Sequence, residues 1–159
     1  MEVPKKKSKF KGPDSKVWSE TQNVVVSASI DTDLPLERLA TKLDRAEYNP
    51  EQFPGLIFKI DSPRASSLLF SSGKIICTGT KSITEAKKAI NKILEELKKV
   101  DIPVTKAKDI EVQNMVASGS VGGKLNLNEI VFKFDNTEYE PEQFPGLVYK
   151  LIGQSVLAN

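Results

Sequence analysis

The stretch EYNPEQFPGL at 47–56 returns as EYEPEQFPGL at 138–147, and no other feature constrains the fold of this chain as tightly. The offset is 91 residues. It also carries Gln22, Asn23, Val25, Ser27 and Ser29 onto Gln113, Asn114, Val116, Ser118 and Ser120, so no insertion separates the two anchors. Between 44–59 and 135–150, eleven of sixteen positions are identical. Solenoid repeats have periods of about 20–50 residues. A longer, domain-sized period implies two copies of one small α/β unit related by a pseudo-twofold axis. The natural target of such a protein is itself two-fold, and duplex DNA is the commonest example.

The second copy is expected to be incomplete. The counterparts of Phe70 and Thr78 would fall at 161 and 169, whereas the chain given ends at Asn159. Similarity between the copies fades after Lys150, where Leu151-Ile152-Gly153-Gln154 replaces Ile60-Asp61-Ser62-Pro63.

Composition narrows the chemistry. At 159 residues, 39% apolar and 28% charged, the chain is long enough to bury a core and has no membrane-length apolar run. Its start, Met1-Glu2-Val3-Pro4-Lys5-Lys6-Lys7, lacks the apolar segment of a signal peptide, so a cytosolic location is expected. Histidine is absent, which removes the commonest general base and zinc ligand together. The single cysteine, Cys77, lies in the apolar run Ile75-Ile76-Cys77 and reads as a small buried residue rather than a reactive thiol. Neither an enzyme nor a cofactor or metal site is expected. The net charge of +2 is uneven: residues 1–20 hold six lysines against Glu2, Asp14 and Glu20. That stretch reads as a flexible basic arm capable of loose, salt-sensitive phosphate contact.

Periodicity then gives the elements of an α+β fold. From Gln22 to Ile30 the period is two, with Val24, Val26, Ala28 and Ile30 on one face and Asn23, Val25, Ser27 and Ser29 on the other. Asp33 is placed to cap a helix with the stripe Leu36, Leu39, Ala40 and Leu43. Asn49-Pro50 and Pro54-Gly55 mark a turn. Strands follow at 56–61, 66–71 and 74–79, the last two joined by Ser71-Ser72-Gly73. Ser82 and Glu85 form a capping box that opens a helix over 83–99. The first unit reads as a five-stranded antiparallel sheet with two helices, βαββββα. The second repeats a strand at 111–121, a helix from about 127 capped by Asn126, and a strand at 147–151. The expected division is an arm at 1–20, a first repeat at 21–108 and a second repeat at 109–159.

An antiparallel sheet covered by helices on one face uses half its side chains for the core. Opposite that core lie Asn23, Val25, Ser27, Leu68, Phe70, Ile76 and Thr78, apolar or small where a solvated face would be charged. Such a face marks a binding surface.

In QNVVVSAS, AEYNPEQFPGL, SLLFSSGKIICTGTKS, VQNMV and EYEPEQFPGLVYK, the chain resembles the TATA-box-binding proteins, the archaeal type most closely, over about 22–150. The resemblance implies a saddle of two pseudo-symmetric repeats, with a concave sheet in the minor groove of A·T-rich promoter DNA and helices on the convex face. It implies a general transcription factor that nucleates the RNA polymerase pre-initiation complex. An archaeal protein of this kind would be cytoplasmic and nucleoid-associated, a eukaryotic one nuclear.

Carried over residue by residue, the resemblance places Asn23 and Asn114 at the centre of the site. There, short amide donors select A·T pairs, whose minor-groove edges present only acceptors. Val25 and Val116 beside them make apolar contact and exclude the guanine amino group. Phe53 and Phe70 match an intercalating pair, and Phe144 is what remains of that pair in the second copy. Wedged phenylalanines unstack and kink a duplex, and the TATA-binding proteins are themselves a standard example. Leu68, Ile76 and Thr78 match groove contacts, and Lys59, Lys74 and Lys150 match phosphate contacts. Glu140 and Glu142 match the stretch that meets transcription factor B. An incomplete second copy would leave a long exposed sheet edge and weaker binding. A degenerate member of the family, or a similar module of non-promoter function attached to an enzyme such as a DNA glycosylase, remains an alternative.

Overall fold

The structure is a computed structural model and describes residues 10–11 and 17–151. In chain order its elements are β1 (Phe10–Lys11), β2 (Val17–Ser29), α1 (Leu36–Lys42), β3 (Ala46–Glu47), β4 (Leu56–Asp61) and β5 (Arg64–Leu69). They continue as β6 (Lys74–Thr80), α2 (Ile83–Lys99), β7 (Lys108–Val121), α3 (Leu127–Lys133), β8 (Thr137–Glu138) and β9 (Val148–Tyr149). Two compact units divide between Val121 and Gly122. The boundary falls after β7 because that strand, although it opens the second sequence copy, is hydrogen-bonded along the whole of β2.

In the first unit the sheet runs β1-β2-β6-β5-β4-β3, with β7 on the opposite edge of β2. Its pairings are all antiparallel, and the fifth strand of the first repeat is the two-residue β3. Cross-strand register separates two faces. Val26 pairs with Cys77, Cys77 with Ser67 and Ser67 with Phe58; Ala28 pairs with Ile75, Ile75 with Leu69 and Leu69 with Leu56. These rows are buried, as are Val24 and Ile60. The helix α2 covers them with Ala86, Ala89, Ile90, Ile93, Leu94 and Leu97. Ser67 tolerates burial because its hydroxyl donates to the Phe58 carbonyl at 2.9 Å.

Caps and turns explain where elements stop. The Ser82 hydroxyl accepts from the Glu85 N–H at 3.1 Å, and the Glu85 carboxylate reaches back to the Lys81 N–H at 3.0 Å, one residue before the cap. At the β5–β6 hairpin Gly73 has φ +86, and a Cβ there would run into the carbonyl oxygens of Ile30 and Thr32.

Several sequence-based limits shift. Asp33 does not cap α1: the N-cap is Pro35, with no side-chain cap. The approach to this helix is fixed instead by tertiary bonds, Ile30 N–H to Gly73 O at 3.0 Å and Leu34 N–H to Ser71 O at 2.9 Å. The first strand begins at Val17 rather than Gln22, because β7 supplies partners along its full length, so residues 17–20 are not part of a flexible arm. Phe10 and Lys11 also pair with this strand, and the remainder of 1–20 lies outside the described residues. The middle strand covers 64–69 rather than 66–71, since Phe70 already belongs to the hairpin, its N–H donating to Lys74 O at 3.0 Å. In the second copy β7 starts at Lys108, and β9 is limited to two residues.

The second unit copies the first at the 91-residue offset. Thr137 pairs with Tyr149 and Glu138 with Val148, as Ala46 pairs with Phe58 and Glu47 with Ile57. Arg45 and Asn136 share a φ of 61, and their carbonyls accept from Lys59 and Lys150 N–H at 3.3 and 2.9 Å. Asn126 caps α3 by accepting from the Glu129 N–H at 3.3 Å, as the sequence predicts. What differs is burial. Among the described residues the buried core ends at Ala107, and α3 has no buried residue. In the first unit the equivalent helix buries Leu36 and Leu39.

Candidate nucleic-acid interface

On the face of the sheet opposite α2, a second set of rows runs across the strands. Ile57 pairs with Leu68, Leu68 with Ile76 and Ile76 with Ser27; beside them Lys59 pairs with Ser66 and Ser66 with Thr78. Ile57, Leu68, Phe70, Ile76, Thr78, Asn23 and Val25 are all half-buried, covered by their neighbours but by no helix. The structure therefore brings together Asn23, Val25, Leu68, Phe70, Ile76 and Thr78 on one face, while Val24, Val26 and Leu69 face the core.

At its centre the pseudo-twofold becomes geometric. Asn23 pairs with Val116 and Val25 with Asn114, while Val24 pairs with its own counterpart Met115. The axis thus passes through the Val24–Met115 pair, with an asparagine and a valine from each copy disposed about it. The asparagines themselves differ. The Asn23 side-chain oxygen accepts from the Gly79 N–H at 2.8 Å, and its amide nitrogen lies 3.1 Å from the Thr78 hydroxyl. A backbone donor on the oxygen fixes which end of the amide is which, keeping the NH2 as the group with donors to offer. The Gly79 N–H is free to do this because β6 carries an extra residue here: Val24 pairs with Thr80, but Val26 with Cys77. Gly79 has φ +96 at that bulge. Among the described residues no side-chain hydrogen bond holds Asn114, which is exposed, as is Val116.

Phe53 and Phe70 meet edge to face, ring centroids 6.0 Å apart and planes inclined at 67°. Phe53 lies over Gly55, where a Cβ would come within 2.6 Å of its ring and 3.2 Å of Phe70. The turn that presents Phe53 is closed by Asn49, whose carbonyl accepts from the Gln52 and Phe53 N–H groups at 3.1 and 3.0 Å. In the second unit the Glu140 carbonyl accepts from Gln143 and Phe144 at 3.0 Å each, and Phe144 lies against Gly146 in the same way. Phe144 is 58% exposed against 39% for Phe53. Glu140 and Glu142 are both exposed on this turn, so Phe144 and the acidic pair share one loop.

Lys74 is exposed at the start of β6. Lys59 is 3.5 Å from Glu47, and Lys150 is 2.7 Å from Glu138, the same ion pair in each copy. Exposed pairs of this kind contribute little to stability. Away from the face, desolvation by burial pushes the Cys77 thiol up to about 11, consistent with a core residue. The Glu96 carboxyl is held below its usual range, first by the hydrogen bond from Lys99.

Sequence reasoning missed Ile57, which the parity of the neighbouring strand would have found, and the Glu47 and Glu138 partners, which the repeat itself contains. It also missed the supporting roles of Gly55 and Gly146, and of Thr78 and Gly79 in aiming Asn23. Those depend on contacts between residues far apart in the chain.

The sheet thus joins both copies on an apolar, helix-free face, with an asparagine and a valine of each disposed about its axis. The chain belongs to the family described as transcription factor TFIID (or TATA-binding protein, TBP), whose profile matches residues 19–100 and 109–159. It is 51% identical to the TATA-box-binding protein of Methanocaldococcus jannaschii over 81% of this chain and 70% of that one. To the TATA-box-binding protein of Methanosphaera stadtmanae it is 43% identical, over 90% and 78%. The solved structure of Methanococcus jannaschii TBP superposes with a TM-score of 0.76 at 49% identity, covering 84% of this chain and 76% of that one. The fold is that of this family, whose members are transcription factors, not enzymes. No described helix is long and apolar enough to cross a membrane.

Proposed function

We propose that this chain binds A·T-rich, TATA-type promoter DNA through the minor groove, bends it, and recruits transcription factor B to start assembly of the RNA polymerase pre-initiation complex. The observation that carries this reading is the reciprocal pairing of Asn23 with Val116 and Val25 with Asn114 about the pseudo-twofold. An amide donor beside an apolar side chain, presented twice, matches a groove floor that offers acceptors and has no guanine amino group. Around that centre Leu68, Ile76 and Thr78 extend the contact surface, and Lys59, Lys74 and Lys150 meet phosphates. Phe53 and Phe70 enter one base step, and Phe144 enters another. Unstacking a step costs a few kcal/mol, offset by the protein surface that a bent duplex can cover. Glu140 and Glu142 receive transcription factor B.

The test is competition between TATA-containing and scrambled duplexes of equal length at one salt concentration. Retained preference for the TATA duplex supports the proposal, and equal affinity refutes it. A second reading, a family member with weak DNA binding, is favoured by one observation: the second copy contributes no residue to the buried core among the described residues. Under that reading the preference persists, but the bend is confined to the side of Phe53 and Phe70.

A further inference from the structure

The repeated motif contains residues that the groove contacts leave unexplained: Gln22 with Ser27, and Gln113 with Ser118. In the structure each glutamine reaches the serine of the other copy. Gln22 Nε2 donates to Ser118 Oγ at 2.9 Å, and Gln113 Nε2 donates to Ser27 Oγ at 2.8 Å. Each Nε2 has a second, longer acceptor on its own strand, the Glu20 carbonyl and the Glu111 carboxylate, both at 3.5 Å. Both glutamines sit where the β2–β7 ladder skips a residue. The pairing passes from Thr21–Ala117 to Asn23–Val116, and from Val25–Asn114 to Val26–Val112. A residue left out of the ladder at a bulge has its side chain re-aimed and the local twist increased. Between the two bulges lie only the pairs Asn23–Val116, Val24–Met115 and Val25–Asn114.

We infer that Gln22 and Gln113 are positioning residues, latches that clip each copy to the other on either side of the central reading segment and set the relative geometry of its asparagines and valines. The repeat explains why the motif recurs whole: each latch needs the glutamine of one copy and the serine of the other, so both copies must carry both. This inference rests on the proposed A·T reading for its functional consequence, but the latch itself exists without DNA.

The experiment therefore has two arms, applied to the full chain with Gln22→Ala/Gln113→Ala, Ser27→Ala/Ser118→Ala and the quadruple variant. Hydrogen exchange without DNA is expected to quicken about threefold to tenfold for the amides of 23–25 and 114–116, while those of α2 stay protected. In the second arm, preference for a TATA duplex over a G·C-substituted one is expected to fall by a similar factor, with affinity for the G·C duplex unchanged. The quadruple variant is expected to match either double variant, because the two ends of one latch do not act independently. Unchanged central exchange, or glutamine and serine effects that simply add, overturns the inference. If the wild-type chain shows no TATA preference, the functional reading fails, and the exchange arm still decides whether the latch exists.

Discussion

The two central asparagines occupy equivalent positions, yet they should not contribute equally. Asn23 is held before any DNA arrives, its oxygen on the Gly79 N–H at 2.8 Å and its nitrogen 3.1 Å from the Thr78 hydroxyl. Asn114 is exposed, so under the proposed reading it is ordered only on binding DNA. Losing a good base contact costs about 1–3 kcal/mol. Immobilising a side chain takes back about 0.5–1.5 kcal/mol. Asn23→Ala should therefore weaken TATA binding about 5- to 140-fold, and Asn114→Ala roughly 2- to 12-fold less than that, since 1.4 kcal/mol is a factor of ten. Thr78→Val keeps the shape but removes one hydrogen bond that aims Asn23, and should cost about 0.5–1.5 kcal/mol. Folding stability should barely change, because Gly79 is exposed and its N–H can turn to water. Fluorescence anisotropy with TATA and G·C-substituted duplexes at fixed salt measures all three. Equal losses for the two asparagine variants would refute preorganisation as the source of the difference. Equal losses on both duplexes would refute the base-reading role.

Lys74→Ala should weaken TATA and scrambled duplexes alike and lower the salt slope of log K by about one, measured by titration across salt concentrations. Phe70→Ala removes both a wedge and the ring against Phe53, so energy-transfer measurements on an end-labelled duplex should show a smaller bend, whereas Phe144→Ala should change it less. Cys77 is protonated in the folded chain up to about 11 but ionises near its ordinary 9.0 when unfolded. The unfolded state therefore binds fewer protons between those values, and stability should be flat below pH 9.0 and fall as pH rises toward 11. Denaturant unfolding of the wild type and Cys77→Ala across that range tests this, and the variant should lose the cysteine contribution to the slope.

Most of the fold could be read from the sequence because its signals are local. Alternation along 22–30 assigns Val24 and Val26 to the core and Asn23 and Val25 to the opposite face, and a period of two leaves no other arrangement. The stripe of α2 and the Ser82 and Asn126 caps also lie within a few residues of what they organise. The repeat went further and implied a two-fold centre between the copies. Tertiary structure alone decided where that centre lies, at the Val24–Met115 pair, because strand register depends on bulges at Gln22 and Gln113 that no local pattern announces. It also decided that Asp33 does not cap α1, since the Ile30 and Leu34 N–H groups donate to the Gly73 and Ser71 carbonyls, about 40 residues on in the chain, and fix the approach to the helix. Asn23 and Asn114 show the division most directly. The sequence makes them identical, and the long-range contact with Gly79 makes one of them rigid, because a hydrogen bond orients a side chain only when the fold delivers its partner.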